Sequence, residues 1–240
     1  MALKGDGVPM LEKAQSRPDL LLLLSLLFLI LMYPVLNHGD FRRILLGASM
    51  FTSILLATVR LARRKGWVWP TALLMVVTAT VSVASNFVPT PTLIGARWAL
   101  LTVFFGLAVA GLFPYLKNAR SVTDAHLYTA MSIYVLLGML WFSLYSAIDS
   151  IWPAAILHNN AAVTDRQSEL LYFSLVTLST IGYGDVVPLY PEVRMLAALE
   201  GLTGVLYIAI TVAMLVSAYK QQGASSGAAA DNHNVATERQ

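Results

Sequence analysis

Six long apolar stretches, residues 20–36, 44–61, 68–88, 98–116, 127–148 and 195–219, constrain this chain more than any other feature, because each is close to the length of a bilayer core. A helix needs roughly 17 to 25 apolar residues to cross, and it satisfies its own backbone hydrogen bonds where no water is present to do so. The second stretch is the shortest, with 16 residues between Arg43 and Arg60, so the long stem of one of these arginines has to reach back to the interface. The first stretch follows Lys4, Lys13 and Arg17 in the manner of a signal peptide. Its apolar run exceeds the roughly 7 to 15 residues of such a region, and residues 33–37 offer no small-x-small cleavage pattern, so it reads as a span. Composition agrees: only 12% of the 240 residues are charged, against roughly 25% in soluble domains. Cysteine is absent, which excludes disulfides, thiolate metal sites and cysteine nucleophiles.

A seventh apolar region, residues 170–181, is too short to cross. It fits a helix that enters and turns back, followed by irregular backbone, which a bilayer tolerates only where protein encloses it. The irregular part reads Thr177-Leu178-Ser179-Thr180-Ile181-Gly182-Tyr183-Gly184-Asp185. Ordinary extended backbone sends successive carbonyls to opposite sides. A run that aims them all at one axis needs residues that accept positive φ, and Gly182 and Gly184 alternate with larger residues at the required spacing. Carbonyls converging from several strands can replace the water shell of an ion.

Residues 172–188, Tyr-Phe-Ser-Leu-Val-Thr-Leu-Ser-Thr-Ile-Gly-Tyr-Gly-Asp-Val-Val-Pro, closely resemble the pore signature of the potassium channel family. The resemblance implies an all-α membrane protein with six transmembrane helices, a re-entrant pore helix over residues 168–179, and a selectivity-filter loop in a tetrameric pore. It implies K+ sites formed by the carbonyls of Thr180, Ile181, Gly182 and Tyr183, with the Thr180 hydroxyl at the inner end and Gly184 completing the filter. Tyr172 and Phe173 resemble the aromatic cuff around such a filter. Tyr172 precedes Asp185 by 13 residues, and its hydroxyl either bonds that aspartate behind the filter or simply packs in the core. Some relatives place a glutamate where this chain has Val176, so the acidic pair found in them is absent here. A single filter copy implies a homotetramer, with K+ as permeant ion, no other cofactor, and membrane lipids as surroundings.

The two remaining positions of interest lie in the last stretch. Glu200 is an ionisable residue inside an apolar span, where carboxylates are costly and commonly functional; it either lines the ion cavity or bonds Ser or Thr hydroxyls behind the filter. Gly204 follows Gly182 by 22 residues, the separation at which the family has its inner-helix hinge. Glycine inside a helix costs roughly 1 kcal/mol relative to alanine, so either bending or close packing must offset it. The hinge is the preferred expectation.

Charge orients the chain. With both termini cytoplasmic, the inner flanks carry ten Lys and Arg residues up to Lys220 and the outer flanks five, with Arg63-Arg64-Lys65 contributing most of the bias. Trp67 and Trp69 beside that cluster look like an interfacial belt over an anionic leaflet. Residues 98–116 contain no Arg or Lys, whereas steep voltage sensing takes roughly three or four charges per subunit. The chain therefore divides into a cytoplasmic segment (1–18), a four-helix part without voltage-sensor charges (19–117), a pore domain (118–220) and a disordered tail (221–240). Thr123 or Asp124 is a candidate cap for the fifth helix, and Thr164 or Asp165 for the pore helix. The basic residues form no single polar face suited to nucleic acid, the four histidines are scattered, and no enzymatic constellation is present. The expectation is a K+-selective passive channel, weakly or not voltage-dependent, in a bacterial inner membrane. An ion-coupled transporter subunit and a non-conducting sensor or accessory subunit are the alternatives.

Overall fold

The computed structural model of the chain describes residues 8–35, 68–117, 123–153, 155–158 and 166–237. Their elements run, in chain order, α1 (Val8–Val35), α2 (Val68–Phe87), α3 (Pro91–Lys117), α4 (Asp124–Ile151), β1 (Ile156–His158), α5 (Arg166–Leu178), β2 (Val186–Pro188) and α6 (Pro191–Thr237). Helices α3, α4 and the Pro191–Lys220 part of α6 are long and apolar enough to cross a membrane. The apolar stretches of α1 and α2, Asp19–Met32 and Trp69–Ser85, are shorter, so six spans of full length are not found among the described residues. The expected span over 44–61, the candidate caps Thr164 and Asp165, Trp67, and most of the boundary segment at 118–124 lie outside the described residues.

Helix starts follow local chemistry. Pro91 opens α3, where its missing N–H costs nothing, and the Thr90 hydroxyl accepts from the Leu93 amide at 3.3 Å. Thr123 has the extended conformation of an N-cap residue, but its hydroxyl meets His126 Nδ1 at 2.7 Å instead of a backbone amide. Asp124 contributes its charge to the first turn of α4.

Helix α4 is the central pillar. Helices α3 and α1 pack along it, α2 lies on α3, and α5 is wedged between α4 and α6. The stripes that meet have helical spacing: Leu22, Leu26 and Leu29 on α1, Trp98, Leu101, Phe105 and Ala108 on α3, and Ile133, Leu136 and Met139 on α4, all buried. Trp98 meets Phe142 edge-on at 5.2 Å, and the Thr102 and Ser143 hydroxyls pair at 3.0 Å across α3 and α4.

Helix α6 shows the inverse pattern. Its buried stripe is Val193, Glu200, Gly204, Tyr207, Thr211 and Ala218, small or polar for the most part, while Leu199, Leu202, Leu206, Ile210 and Val216 are exposed. Helices in lipid gain nothing by hiding leucine from hydrocarbon; they associate through small residues and hydrogen bonds, as this stripe does.

Two features differ from expectation. The all-α reading omits a two-stranded antiparallel sheet in which Ile156 pairs with Pro188 and His158 with Val186. Three-residue strands carry too little alternation to register in a sequence pattern. The tail, expected to be disordered from residue 221, continues α6 to Thr237. Beyond Pro191 it contains no proline, Ala228-Ala229-Ala230 favour helix, and an already nucleated helix grows by one hydrogen bond per residue.

Candidate functional site

The site is assembled where α5 ends. The helix runs Arg166–Leu178, close to the expected 168–179, and its start is tied to the outer end of α4. Arg166 forms an ion pair with Asp149, with its Nε donating to Oδ2 at 2.9 Å, and the Ser146 hydroxyl donates to Gln167 Oε1 at 2.9 Å. The bond to Asp149 holds the Arg166 guanidinium above its usual range, against the opposing effect of burial. Seventeen residues separate this pair, and no sequence periodicity links them.

At the other end of α5 the chain leaves the helix without losing its hydrogen bonds. The Thr180 amide donates to Thr177 O at 3.0 Å, and the amides of Ile181 and Gly182 both point back to Val176 O, at 3.0 and 3.4 Å. Thr180, Gly182 and Gly184 then take positive φ of 59, 57 and 79°, while Ile181 and Tyr183 between them do not. A left-handed residue at every second position undoes the side-to-side alternation of an extended strand. This alternation of φ turns successive carbonyls toward a common side, while the amides of Ile181 and Gly182 are committed to the helix end. Thr180 does this without being glycine, a conformation that costs an L-residue roughly 1–2 kcal/mol and that clusters at functional sites.

The far end of this segment is braced. The Tyr172 hydroxyl donates to Asp185 Oδ2 at 2.8 Å, and the Val186 amide donates to Asp185 Oδ1 at 3.0 Å. The rings of Tyr172 and Tyr183 are parallel, with centroids 6.5 Å apart. Val186 then enters β2, whose pairing with β1 and the Leu189 amide bond to Ala155 O at 2.9 Å join the segment to the loop after α4. Phe173 is buried edge-on against Tyr145 at 5.1 Å. Ile181 and Tyr183 are 55% and 70% exposed, so a single copy leaves the outward side chains of the segment uncovered.

Behind α5 lie the two candidates from α6. Glu200 is fully buried, at 0% exposure, between α4 and α5. Tyr145 donates its hydroxyl to Oε2 and Ser174 Oγ lies against Oε1, both at 2.7 Å, so within one copy the carboxyl lines no open space. Its two partners are therefore hydroxyls, one on α4 and one on α5. Gly204 has a packing cause: a Cβ there would stand 2.0 Å from Leu178 O, the last carbonyl of α5, onto which Tyr134 Oη also donates at 3.3 Å. Gly201 sits one turn away, with 3.6 Å between such a Cβ and Thr177 O. Close contact between α6 and the end of α5 is thus one offset to the cost of a glycine at 204.

Tyr145 and Ser174 were not reachable from the sequence as partners of Glu200. The available signal was a hydroxyl inside an apolar helix, and many other Ser, Thr and Tyr residues share it. Among the described residues no group of His, Asp and Glu is placed to hold a metal ion.

Residues 121–221 match the family model described as Ion channel. Similar proteins include two pore potassium channel a of Oryza sativa subsp. japonica, 35% identical over 80 residues, which are 33% of this chain and 20% of that protein. Residues 121–221 are therefore similar to ion channels, potassium channels among them. Two further similar proteins are potassium voltage-gated channel protein shk-1 of Caenorhabditis elegans, 41% identical over 49 residues (20% of this chain, 9% of that protein), and A-type voltage-gated potassium channel KCND3 of Homo sapiens, 30% identical over 97 residues (39% and 15%). The chain thus spans a fifth or less of the length of these curated relatives. No solved structure matches it. The matched region includes two of the three described helices that are long and apolar enough to cross a membrane.

Proposed function

We infer that the chain is one subunit of a homotetrameric channel that passes K+ selectively and passively through residues 180–184. The alternating left-handed conformations at Thr180, Gly182 and Gly184 carry this reading, because they free a row of carbonyls for one axis. One row cannot encircle an ion, and four copies related by closed symmetry can. The same symmetry would cover Ile181 and Tyr183, which one copy leaves exposed. On this reading the carbonyls of Thr180, Ile181, Gly182 and Tyr183 and the Thr180 hydroxyl coordinate K+ in place of water. Tyr172, Phe173 and Asp185 hold the row open from behind, and both termini are cytoplasmic, as the charge bias indicates.

The deciding experiment is reconstitution of the full chain in planar bilayers. Discrete unitary currents that reverse near the K+ equilibrium potential in a K+/Na+ gradient are expected. Fluxes thermodynamically coupled to a second ion would transfer the reading to a transporter subunit, and silence from well-folded tetramers would transfer it to an accessory role.

Weak voltage dependence is the second expectation. Helix α3 carries Arg97 near its outer end, 4.7 Å over the Trp98 ring, and Lys117 at the other end, with no basic residue in residues 98–116. Each charge crossing 100 mV contributes only about 2.3 kcal/mol, so steep gating has no source in this helix. A steep charge–voltage relation in gating-current recordings would contradict this.

Tyr172→Phe removes a hydroxyl bond to a carboxylate and should loosen the outer end of the filter by about 1.5 kcal/mol per copy, the low end for charged partners because the pair is only part-buried. Faster decay of current during sustained recording is expected. Kinetics identical to the parent channel would remove Tyr172 from the brace.

A further inference from the structure

The buried cluster around Glu200 contains one contact too many for the protons that an ionised carboxylate would leave it. Ser174 Oγ lies 2.7 Å from Glu200 Oε1 and 2.9 Å from the Gly138 carbonyl oxygen. A serine hydroxyl has one proton, and a peptide carbonyl can only accept. If Ser174 donates to Gly138, two bare oxygens face each other at 2.7 Å unless Glu200 supplies a proton. If Ser174 donates to Glu200, its oxygen and that of Gly138 are left facing each other instead. Only a carboxylic acid satisfies every pair: Tyr145 donates to Oε2, Oε1 donates to Ser174, and Ser174 donates to Gly138.

The surroundings agree with a neutral group. Glu200 is fully buried, and its partners are two uncharged hydroxyls, which do not offset the cost of taking a carboxylate out of water. The titratable side chains on the packed faces of the three helices are phenols with their own acceptors. Tyr134 on α4 donates to Leu178 O, Tyr172 on α5 to Asp185, and Tyr207 on α6 to Ala130 O. The charged pair Asp149 and Arg166, at the outer ends of α4 and α5, is closed on itself.

We propose that Glu200 is a carboxylic acid whose proton is a structural part of the pore: the chain Tyr145–Glu200–Ser174–Gly138 ties α6 to the middle of α5 and both to α4, making Glu200 a positioning residue for the filter. The consequence for conduction rests on the channel reading; the protonation does not. Ser174 lies two residues before Val176, whose carbonyl accepts from the Ile181 and Gly182 amides, so the tie holds α5 where the filter hangs from it.

The test uses the full chain in lipid nanodiscs. Infrared spectra should contain the carbonyl stretch of a protonated carboxylic acid, slow to shift on transfer to D2O, absent in Glu200→Gln and moved to higher frequency in Ser174→Ala, which takes away the acceptor of the proton. Absence of that band from the parent protein overturns the proposal, and this measurement needs no variant to fold. In bilayers Glu200→Asp, one methylene too short to reach both partners, should lower the K+ over Na+ permeability ratio about ten-fold, as expected when buried hydroxyls lose their partners. Glu200→Gln can accept from Tyr145 and donate to Ser174, and should recover most of that loss. A glutamine variant as impaired as the aspartate variant overturns the proposal. If the band is present and no variant or parent conducts, the channel reading fails alone.

Discussion

Gly204→Ala is expected to destabilise the folded chain by about 3 kcal/mol per copy, at the upper end of overpacking costs, and to abolish ion-selective current. The added methyl would stand 2.0 Å from Leu178 O, and the obstructing atom is backbone at the end of a helix rather than a side chain free to swing. Leu178 is two residues before the first filter carbonyl, so the strain passes directly into the conducting segment. Alanine's better helix propensity returns only about 1 kcal/mol. Gly201→Ala is the matched control: its methyl would find Thr177 O at 3.6 Å, ordinary contact, and should leave stability unchanged or slightly raised. Thermal unfolding of the two purified variants separates these outcomes. Equal melting temperatures would show that helix contact does not explain Gly204, and would return the hinge reading to first place.

Gly182→Ala is expected to spare the fold and remove selectivity. A Cβ at this position meets nothing within 4 Å in the chain, so no clash arises inside one copy. The penalty is conformational: φ of +57° costs an L-residue roughly 1–2 kcal/mol, and four copies must meet it together, roughly 4–8 kcal/mol for the proposed pore. At 1.4 kcal/mol per factor of ten, the conducting conformation loses about a thousand-fold in population or more. The melting temperature should fall only slightly while the K+ over Na+ permeability ratio falls toward unity. A variant that keeps parental selectivity would show that the left-handed conformation at 182 is not what aims the carbonyls.

The two glycines look alike in sequence and act by different physics. Gly182 is needed for a dihedral angle and Gly204 for a distance. The alternation around Gly182 is local, set by neighbours one and two residues away, which is why it was legible. The reason for Gly204 lies in a carbonyl 26 residues earlier in the chain, and a separation matched to a family pattern pointed to bending instead. Tyr172 and Asp185 are an intermediate case. Their separation allowed two readings, and the hydroxyl-to-carboxylate bond at 2.8 Å exists because α5 and the segment after it run side by side.

What the amino-acid order determined by itself was the membrane class and the alternating backbone of residues 180–184. Apolar length decides the first, and the freedom of glycine at positive φ, repeated at 182 and 184, decides the second; both are properties of short windows of chain. Tertiary structure alone decided the partners of Glu200, the contact at Gly204, the Asp149–Arg166 tie and the β1–β2 sheet. Each depends on which oxygen or methyl stands opposite across a helix contact or strand pairing. That is fixed by the relative placement of α4, α5 and α6, which no periodicity within a single helix records.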